Sequence, residues 1–299
     1  MKILVFDIGG TSIKSAVFEN GDLYDLRETA TDAHLGGSHL MDTVKKLVRD
    51  YQSMYIIDRL GISTAGQVDP GQGCITFANN NIPGYTGTKV KDILEAAFGI
   101  PTRVENDVKC AALGEGNFGA GIGVRNYVCL TYGTGVGGAI VSDGKLCDGA
   151  SFAAGQFGAL LVHPEQRTGN GDFYAGGYEK FASTTALVQK ASQYDPALTN
   201  GKQIFAQLGN DPVREIIDNW IDEIVLGLCS IVHILNPAMV ILGGGIMEQH
   251  YIPDQIRQKL IPCLIPTCRN LLIRSAALGN RAGLFGAAAL WISQSNSDA

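Results

Sequence analysis

The amino-acid sequence predicts an α/β fold made of two similar halves. Short apolar segments alternate with segments of helical periodicity, an order typical of this class. Each half begins with two apolar segments joined by a glycine-rich turn, in DIGGTSIK at residues 7–14 and in GTGVGG at residues 133–138. With 299 residues, the chain is at the upper limit for one hydrophobic core, so we expect two domains.

The first half alternates predicted strands with predicted helices. Asn20-Gly21 favours a tight turn between the second and third strands, and apolar residues recur at helical spacing after Ser38. In chain order we predict strands at 2–6, 13–18 and 22–29, a helix beginning after residue 38, a strand at 59–63, a helix at 89–98, a strand at 102–105 and a short alanine-rich helix at 108–115.

The second half repeats this order. A long amphipathic segment ends at Asn236-Pro237, a pair typical of a helix terminus. We predict strands at 126–132 and 138–142, a helix at 213–235, strands at 239–242 and 271–275, and a helix at 282–292. Segment 143–181 is rich in glycine and aromatic residues without periodicity, so we expect an irregular region that lines a cleft between two lobes.

Charge and composition exclude several classes of protein. The net charge is −6 and the isoelectric point about 5.4, whereas nucleic-acid binding requires a basic face. No apolar segment reaches the length of a membrane span, and residues 1–10 enter a strand without a secretory signal. The seven cysteines form no C-x-x-C pair, which favours buried free thiols in a reducing cytosol. We expect a cytoplasmic protein that binds neither nucleic acid nor membrane.

Both glycine-rich turns have the composition of a phosphate site. A bare turn exposes backbone N–H groups that hold phosphate oxygens, and two such hairpins would grip a polyphosphate. The second turn also matches G-x-G-x-x-G, but a β segment follows it instead of the helix that a dinucleotide site needs. The first lacks the spacing of a Walker A loop. Two ordinary hairpins are the alternative, which Asp7 and Lys14 beside the first turn make less favourable.

Five segments together resemble one known family. In chain order they are DIGGTSIK, GISTAGQVD at 61–69, ENDVKCAALGE at 105–115, YGTGVGGAI at 132–140 and ILGGGI at 241–246. The whole chain resembles the ROK family of bacterial sugar kinases and transcription repressors. The resemblance implies an actin-like, hexokinase-like (ribonuclease H-like) ATPase fold, whose two α/β lobes close on ATP and sugar. It places residues 1–108 and 282–299 in the N-terminal lobe and residues 109–281 in the C-terminal lobe.

The resemblance also implies the kind of activity. Repressors of the family carry an added N-terminal helix-turn-helix domain, whereas this chain begins directly at the first strand. We therefore expect an ATP-dependent sugar kinase that acts on a hydroxyl, most simply O6, of a hexose or an N-acetylhexosamine. Phosphoryl transfer of this kind depends on positioning and on charge stabilisation.

The family's acceptor site corresponds here to residues around Asp107. Asp107 matches the catalytic base, which takes the proton of the sugar hydroxyl; capping the following helix is the alternative role. Asn106 and Asn81, the latter in NNIPGY, would bind sugar hydroxyls, and Gly66 would let the backbone approach the sugar. Glu179 matches a further family glutamate and is expected to contact the sugar.

The resemblance further implies a nucleotide site that uses ATP and Mg²⁺. Asp7 would orient hydrated Mg²⁺, and Lys14 would add a positive charge unless it is simply solvated. The phosphate-binding residues would be Gly10, Thr11, Thr134 and Gly135, and the residues against adenosine would be Gly243, Gly244 and Gly245.

The chain departs from the family pattern at the zinc motif. Gln156 replaces a glutamate, Ala159 replaces a histidine and the motif's cysteines are missing, so a His-Cys₃ zinc site cannot form and we expect none. For His163, which lies nearby, we expect a structural role. Gln156 is neutral but still able to hydrogen-bond the sugar. The small Ala159 leaves room for an N-acetyl group or a β-glucoside.

The motifs leave open which sugar is the substrate. AGQFG resembles β-glucoside kinases, whereas GISTAGQVD with a zinc-free second half resembles N-acetylmannosamine kinases. A non-catalytic sugar-binding regulator on the same fold is the further alternative. We expect a homodimer or a homotetramer, as is common in the family.

Overall fold

Two five-stranded sheets with matching strand orders organise the structure, a computed structural model that describes residues 1–167, 171–172 and 174–292. The chain forms two units. The first comprises Met1–Gly123, Asp148–Ala154 and residues 280–292, and the second comprises Val124–Cys147 and Gly155–Gly279. Residues 293–299 of the predicted N-terminal lobe lie outside the described residues.

The first unit is built on a mixed sheet. Its elements are, in chain order, β1 (Ile3–Ile8), β2 (Ser12–Glu19), β3 (Asp22–Ala30), α1 (Gly36–Gln52), β4 (Arg59–Thr64), β5 (Gln67–Asp69), β6 (Cys74–Phe77), α2 (Val90–Phe98), β7 (Thr102–Asn106) and α3 (Asp107–Phe118). The sheet order is β3-β2-β1-β4-β7. Strand β1 is antiparallel to β2 and parallel to β4, and β4 is parallel to β7.

The core of the first unit follows from two periodicities. Strand β1 is buried at all positions but one, as expected for a central strand. On α1, the side chains of Leu40, Val44, Val48 and Tyr51 recur at helical spacing and are fully buried. These strand and helix side chains belong to one hydrophobic cluster, whose removal from water stabilises the unit.

The second unit repeats the sheet of the first. Its elements are β8 (Tyr127–Tyr132), β9 (Val136–Ser142), β10 (Lys145–Leu146), α4 (Glu179–Ala182), α5 (Thr184–Tyr194), α6 (Gly201–Ala206), α7 (Asp211–Leu235), β11 (Met239–Gly243), α8 (Tyr251–Cys263) and β12 (Leu272–Ser275). The sheet order is β10-β9-β8-β11-β12. Helix α7 buries Trp220 at the centre of this core, where the indole N–H donates to the carbonyls of Ala182 and Ser183 at 3.0 Å. The chain then continues in the first unit as α9 (Ala282–Ile292).

Helix α9 packs on α3 through backbone contacts. A Cβ atom at residue 286 would overlap the carbonyl of Cys110, and one at residue 114 would overlap the carbonyl of Ala282. Only glycine allows an approach this close, so α3 and α9 pack as one layer of the first unit. The first unit accordingly extends past residue 108, where the predicted lobe ended. The predicted lobe division itself stays a prediction.

The α/β class and the repeated hairpin-first architecture are confirmed. Several strands continue past their predicted ends, because the residues there still pair with a neighbouring strand. Strand β1, for example, continues through the polar Asp7 to Ile8. The turn at Asn20 and Gly21 has positive φ at both residues, 55° and 94°, as predicted for a tight turn. The sequence analysis missed the β5–β6 hairpin, the short strand β10 and helices α4, α5, α6 and α8. Two prolines within α8 obscured its helical pattern.

The cysteines differ in part from the prediction. All seven are free thiols. Cys110, Cys129 and Cys268 are buried as expected, whereas Cys74 and Cys229 are only partly buried. Cys147 and Cys263 are exposed, so the expectation of buried thiols is wrong at these positions. Cys147 directly follows the two-residue edge strand β10, where little of the chain covers it.

No helix in the described part of the chain combines the length and the apolar character needed to cross a membrane.

Candidate active site

Three parallel strands of the first unit end at the same edge of their sheet. The register pairs Asp7 with Ser63 and Thr64 with Asn106, so the carboxyl ends of β1, β4 and β7 lie side by side. Open α/β sheets bind ligands outside the carboxyl ends of their strands. This edge collects four of the predicted site residues, Asp7, Gly66, Asn106 and Asp107.

The Asp7 carboxyl group is held at the end of β1. Its Oδ1 accepts a hydrogen bond from Ser63 Oγ at 2.7 Å, and Gly283 of α9 provides the space that the group occupies. Burial raises the pKa of Asp7 above its usual value, while the Ser63 hydrogen bond and the charge of Lys14 oppose the rise. Lys14 pairs with Asp7 across the β1–β2 hairpin, and its Nζ donates to the carbonyl of Asn280 at 3.4 Å. The sequence analysis missed Ser63, although a serine at the same level of a parallel strand is the signal that would have indicated it.

The Asn106 side chain uses its whole hydrogen-bonding capacity. Its Nδ2 donates to the Gly66 carbonyl at 2.9 Å and to Asp107 Oδ1 at 2.8 Å. Its Oδ1 accepts from the N–H groups of Val108 and Lys109 at 3.0 and 3.1 Å, which caps α3. A carboxamide has two donors and two acceptor lone pairs, and all four are engaged. Asn106 therefore orients Asp107, and its direct contact with a sugar stays a prediction.

Asp107 begins α3 with a perturbed carboxyl group. Its Oδ1 accepts from Asn106 Nδ2 and from the Val108 N–H, both at 2.8 Å. Burial raises the pKa of Asp107 from 3.8 to about 6, and the negative charge of Asp7 adds to the rise. The alternative role of Asp107, capping α3, is shared with Asn106, which is the N-cap residue. A carboxyl group with a pKa this close to neutral suits a general base.

Gly66 brings its backbone to Asn106 through an unusual conformation. Its φ is 98°, which L-residues with a side chain rarely adopt, and a Cβ there would lie 2.9 Å from the carbonyl oxygen of Phe77. This conformation is part of the turn that follows β4, and the Gly66 carbonyl accepts the Asn106 amide from it. The sequence prediction of a close backbone approach at Gly66 fits this geometry.

Asn81 belongs to the segment between β6 and α2. It is exposed, and its N–H donates to Asn79 Oδ1 at 3.1 Å. Its segment is anchored by the buried Tyr85, whose hydroxyl lies 2.8 Å from Thr64 Oγ1 at the end of β4. The predicted contact of the Asn81 side chain with a sugar hydroxyl stays a prediction.

The first glycine turn, residues 9–12, is shaped by its own backbone and by Thr31. The Gly9 N–H donates to the Ser12 carbonyl at 3.0 Å. Thr31, directly after β3, stabilises the turn through two hydrogen bonds. Its Oγ1 donates to the Gly9 carbonyl at 2.8 Å, and its N–H donates to the Thr11 carbonyl at 3.0 Å. The tip of the turn consists of Gly10 and Thr11, both exposed. The backbone of the tip is therefore rigidly supported and accessible.

The second glycine turn, residues 133–136, is held by residues of α4 and α5. The Gly133 N–H donates to the Gly135 carbonyl, and the Thr184 N–H donates to the Gly133 carbonyl, both at 3.0 Å. Glu179 Oε2 accepts from the Val136 N–H at 3.0 Å, and its carboxylate fills the position that a Cβ of residue 135 would take. The predicted phosphate ligands of this turn are the exposed Thr134 and the half-buried Gly135.

Glu179 thus contacts the glycine turn, a role that the sequence did not indicate. Gly158 packs against the Val136 carbonyl and against Glu179, so the short 3-10 turn that contains Gly158 lies beside the second glycine turn. Gln156 and Ala159 flank Gly158, and both are exposed. The predicted sugar contacts of Gln156 and Glu179 stay predictions.

A third glycine segment follows β11. Strand β11 is parallel to β8, and the register pairs Gly243 with Thr131, so the glycines after both strands lie at one edge of the second sheet. Gly244 has a φ of 102° and lies directly against the Tyr132 carbonyl. Gly243 is buried, whereas Gly244 and Gly245 are exposed. The second unit therefore presents two adjacent glycine segments at the carboxyl end of its sheet.

His163 lies between two carboxylates. Its Nδ1 is 2.9 Å from Glu165 Oε1, its Nε2 is 2.9 Å from Glu223 Oε2, and its ring packs on Phe181 at 4.1 Å between centroids. The hydrogen bond to Glu223 is the main cause that raises the pKa of His163 above 6.5. Among the residues with described positions, no three His, Cys, Asp or Glu side chains are arranged to hold a metal ion. The expected lack of a zinc site stays a prediction.

The predicted site residues fall into two groups, one in each unit. The first unit holds Asp7, Gly10, Thr11, Lys14, Gly66, Asn81, Asn106 and Asp107, and the second holds Thr134, Gly135, Gln156, Glu179, Gly243, Gly244 and Gly245. Within the first group, hydrogen bonds and charge directly link Asp7, Gly66, Asn106 and Asp107. Within the second, the hydrogen bond of Glu179 to Val136 joins α4 to the glycine turn.

Comparisons with known proteins identify the family of the chain. A model of the ROK family matches residues 3–294. The chain is 31% identical over 306 residues to a β-glucoside kinase from Listeria innocua, with 99% of each chain covered. It is similar to the structure of a ROK family glucokinase from Streptomyces griseus in complex with glucose and AMPPNP, with a TM-score of 0.82, 30% identity and coverage of 97% and 99%. A candidate N-acetylmannosamine kinase from Listeria monocytogenes gives a TM-score of 0.87 at 27% identity, with coverage of 99% and 100%.

The family match spans both units and includes the segments that carry the glycine turns and the Asn106-Asp107 pair. The similar structures align along nearly the whole chain. The chain therefore belongs to the ROK family and has the family's actin-like, hexokinase-like ATPase fold.

Proposed function

We propose that the protein is an ATP-dependent sugar kinase that transfers the γ-phosphoryl group of ATP to O6 of a hexose or an N-acetylhexosamine. The observation that carries this proposal is the Asp107 carboxyl group, which Asn106 orients and whose pKa lies at about 6. A sugar hydroxyl becomes a better nucleophile when such a group accepts its proton. Similarity to a β-glucoside kinase and to a ROK glucokinase supports the same class of reaction.

Asp107 is the base in the proposed reaction. As the sugar oxygen attacks the γ-phosphorus, its proton passes to Asp107, a new P–O bond forms, and the bond to the β-phosphate oxygen breaks so that ADP leaves. The hydrogen bonds from Asn106 and Val108 both fall on Oδ1 and fix the plane of the carboxyl group. Oδ2 is therefore the oxygen that we assign to proton transfer.

The glycine segments serve ATP in this proposal. Exposed turns with free backbone N–H groups bind phosphate oxygens, and Lys14 adds a positive charge beside Asp7. The proposed phosphate ligands are Gly10, Thr11, Thr134 and Gly135, and the proposed adenosine contacts are Gly243, Gly244 and Gly245. Glu179 supports the second turn from behind through the Val136 N–H.

The acidic pair of the first unit fits Mg²⁺. Mg²⁺ prefers oxygen donors, and Asp7 and Asp107 are close enough for the charge of one to raise the pKa of the other. Asp7 would hold the ion through water, with Ser63 keeping the carboxyl group in place. When bound, Mg²⁺ neutralises the charge on the transferred phosphoryl group.

β-Glucosides are the second candidate class of acceptor. The exposed Ala159 leaves space where the family's pattern has a histidine, and the adjacent Gln156 is neutral and exposed. Both features suit a sugar with a substituent at its anomeric or 2-position. The 31% identity to a β-glucoside kinase supports this alternative.

An ADP-release assay with Mg²⁺-ATP and a panel of sugars tests the proposal. The panel contains glucose, N-acetylmannosamine, N-acetylglucosamine and cellobiose, and we expect turnover of at least one. NMR of the product, through coupling of phosphorus to the C6 protons, tests the assignment of O6. Sugar binding by calorimetry without any turnover would contradict the kinase and support the sugar-binding regulator.

A further inference from the structure

A buried lysine lies in the first turn of α3, and its side chain has no role in the site described above. The Lys109 side chain is only 4% exposed, and its Nζ lies 2.6 Å from Asp148 Oδ1 and 3.8 Å from Glu105 Oε1. The ammonium also donates to the Phe152 carbonyl at 3.4 Å. A buried charge is costly unless it is paired and hydrogen-bonded. Here one cation joins two carboxylates and a carbonyl from separate parts of the chain.

One side of this cluster leads to the candidate base. Glu105 is 3% exposed, and its Oε1 also accepts from the Asn106 N–H at 2.8 Å. Asn106 Oδ1 in turn accepts from the Lys109 N–H at 3.1 Å. Because Asn106 orients Asp107, the cluster holds both the backbone and the side chain that come immediately before the base.

The other side of the cluster leads to segment Asp148–Ala154, which belongs to the first unit. The segment closes on itself through the Ala154 N–H, which donates to the Asp148 carbonyl at 3.1 Å. Phe152 has a φ of 62°, a backbone conformation that a bulky residue rarely adopts. Such a conformation persists only where neighbouring groups enforce it, and the bond from Lys109 to the Phe152 carbonyl is one such restraint.

Stability alone is a poor reason for this cluster. A buried ion pair contributes little to folding compared with apolar side chains of similar volume, and α3 already packs closely on α9. Burial raises the pKa of Glu105 to about 7, and the Lys109 charge opposes that rise. The cluster does have a geometric consequence, because it ties segment 148–154 to the helix turn that carries Asp107.

We propose that Lys109 is a positioning residue of the acceptor site: through Asp148 and the Phe152 carbonyl it holds segment 148–154 beside the start of α3, where the segment forms part of the wall that receives the sugar. This inference rests on the proposed kinase function, in which Asp107 is the base. The segment runs directly into Gly155 and Gln156, and Gln156 is a proposed sugar ligand.

Hydrogen exchange tests whether Lys109 holds segment 148–154 in place, and the measurement does not require enzymatic activity. Lys109→Met removes the cation, and Asp148→Ala removes the partner that is 35% exposed while leaving Lys109 with Glu105. We expect the amides of segment 148–154 to exchange at least about tenfold faster in both variants, with α1 unchanged. Unchanged exchange in Asp148→Ala would overturn the proposal even if Lys109→Met fails to fold.

Kinetics test the role in the acceptor site. For the sugar in the panel that is turned over fastest, we expect KM to rise about tenfold in either variant, while KM for ATP changes less than about twofold. The double variant is expected to be no worse than Lys109→Met alone, because both substitutions release the same segment. Asp148→Asn, which keeps an oxygen for the Lys109 hydrogen bond, is expected to restore most of the sugar affinity.

Tyr51→Phe is the matched control for loss of a buried interaction. The Tyr51 hydroxyl donates to the carbonyl of Asp25 at 2.7 Å and belongs to the core of the first unit, on α1. We expect it to lower stability without a change in sugar KM. An unchanged sugar KM in Asp148→Ala, or equal rises in KM for sugar and ATP, would overturn the proposal. If the wild type turned over no sugar, the kinase function would fail separately, and exchange together with calorimetric sugar binding would still decide the role of Lys109.

Discussion

Asp107 needs an ionised carboxyl group to accept a proton, and its surroundings are arranged around that group. An amide at this position keeps the shape of the side chain but cannot take a proton. We therefore expect Asp107→Asn to lower kcat by about a hundredfold or more while leaving sugar affinity largely intact. ADP release and calorimetric sugar binding measure the two effects. Near-normal turnover in this variant would remove Asp107 as the base.

The raised pKa of Asp107 also predicts how activity and stability depend on pH. Since its pKa is about 6, we expect kcat/KM to fall about tenfold per unit below that pH. The pKa of Asp107 in the folded state exceeds the unfolded value of 3.8, so the folded state binds more protons than the unfolded state between pH 3.8 and about 6. The contribution of protonated Asp107 to the free energy of unfolding therefore decreases over this range and is lost as the pH rises through 6. Asp107→Asn should therefore raise Tm at about pH 8. A kinetic midpoint near pH 4, or a lower Tm in the variant, would contradict this account.

Single residues differed in how far the sequence could predict them. Asp107 and Asn106 stand next to each other in a specific motif, so their importance was predictable. That Asn106 orients Asp107 was not predictable, because this role depends on the four groups that hydrogen-bond with the Asn106 side chain. The Lys109–Asp148 pair joins residues 39 positions apart across an irregular segment, where no periodicity indicates a contact.

At the scale of elements, the second glycine turn depends on a single carboxylate from α4. Glu179→Ala removes the acceptor of the Val136 N–H and the group packed against Gly135. We expect KM for ATP to rise about tenfold, the effect of losing roughly 1.4 kcal/mol, with a smaller change in Glu179→Gln, whose oxygen still accepts the bond. Steady-state kinetics with each substrate varied measures this. A rise confined to the sugar KM would instead favour the predicted sugar contact.

His163 forms ion pairs with Glu165, two residues further along the chain, and with Glu223 of α7. A protonated ring pairs with Glu165 and Glu223, and the Glu223 hydrogen bond raises the pKa of His163 above 6.5. The pair therefore stabilises the fold fully below pH 6.5, and this contribution is lost as the pH rises through the raised pKa. We expect His163→Gln to cost about 1 kcal/mol near pH 6, less in high salt, and almost nothing near pH 9. Thermal unfolding at both pH values measures this, and a loss independent of pH would contradict it.

Elements with strong periodicity were predictable, and the others were not. Helix α7 ends at Leu235 as predicted, followed by Asn236 with a φ of 44° and then a proline. Helix α5 begins with a serine cap and a pair of threonines, and it buries only three residues, so its apolar pattern is weak. The β5–β6 hairpin has three and four residues, too few for alternation to be recognised.

At the scale of the whole molecule, the repeated hairpin-first architecture was predictable because each half begins with two apolar segments joined by a glycine-rich turn. The place of α9 in the first unit was implied by the resemblance to the family and by no local pattern. What holds it there is contact between glycines and backbone carbonyls, such as Gly286 with Cys110, which are far apart in the sequence. In the sequence, the only indication of such a contact is a glycine. Because the chain has 38 glycines, the sequence does not show which of them make these contacts.

The missing zinc ligands yield a prediction for the whole protein. The sequence has no cysteine between Cys147 and Cys229, where the family's zinc motif falls, and Ala159 replaces the motif's histidine. We therefore expect elemental analysis to find no stoichiometric zinc, and we expect a chelator to leave Tm unchanged, because structural zinc would contribute directly to folding. The chelator should abolish ATP turnover through loss of Mg²⁺, and Mg²⁺ alone should restore it. About one zinc per chain, or a large fall in Tm with chelator, would show that this chain completes a metal site with other ligands.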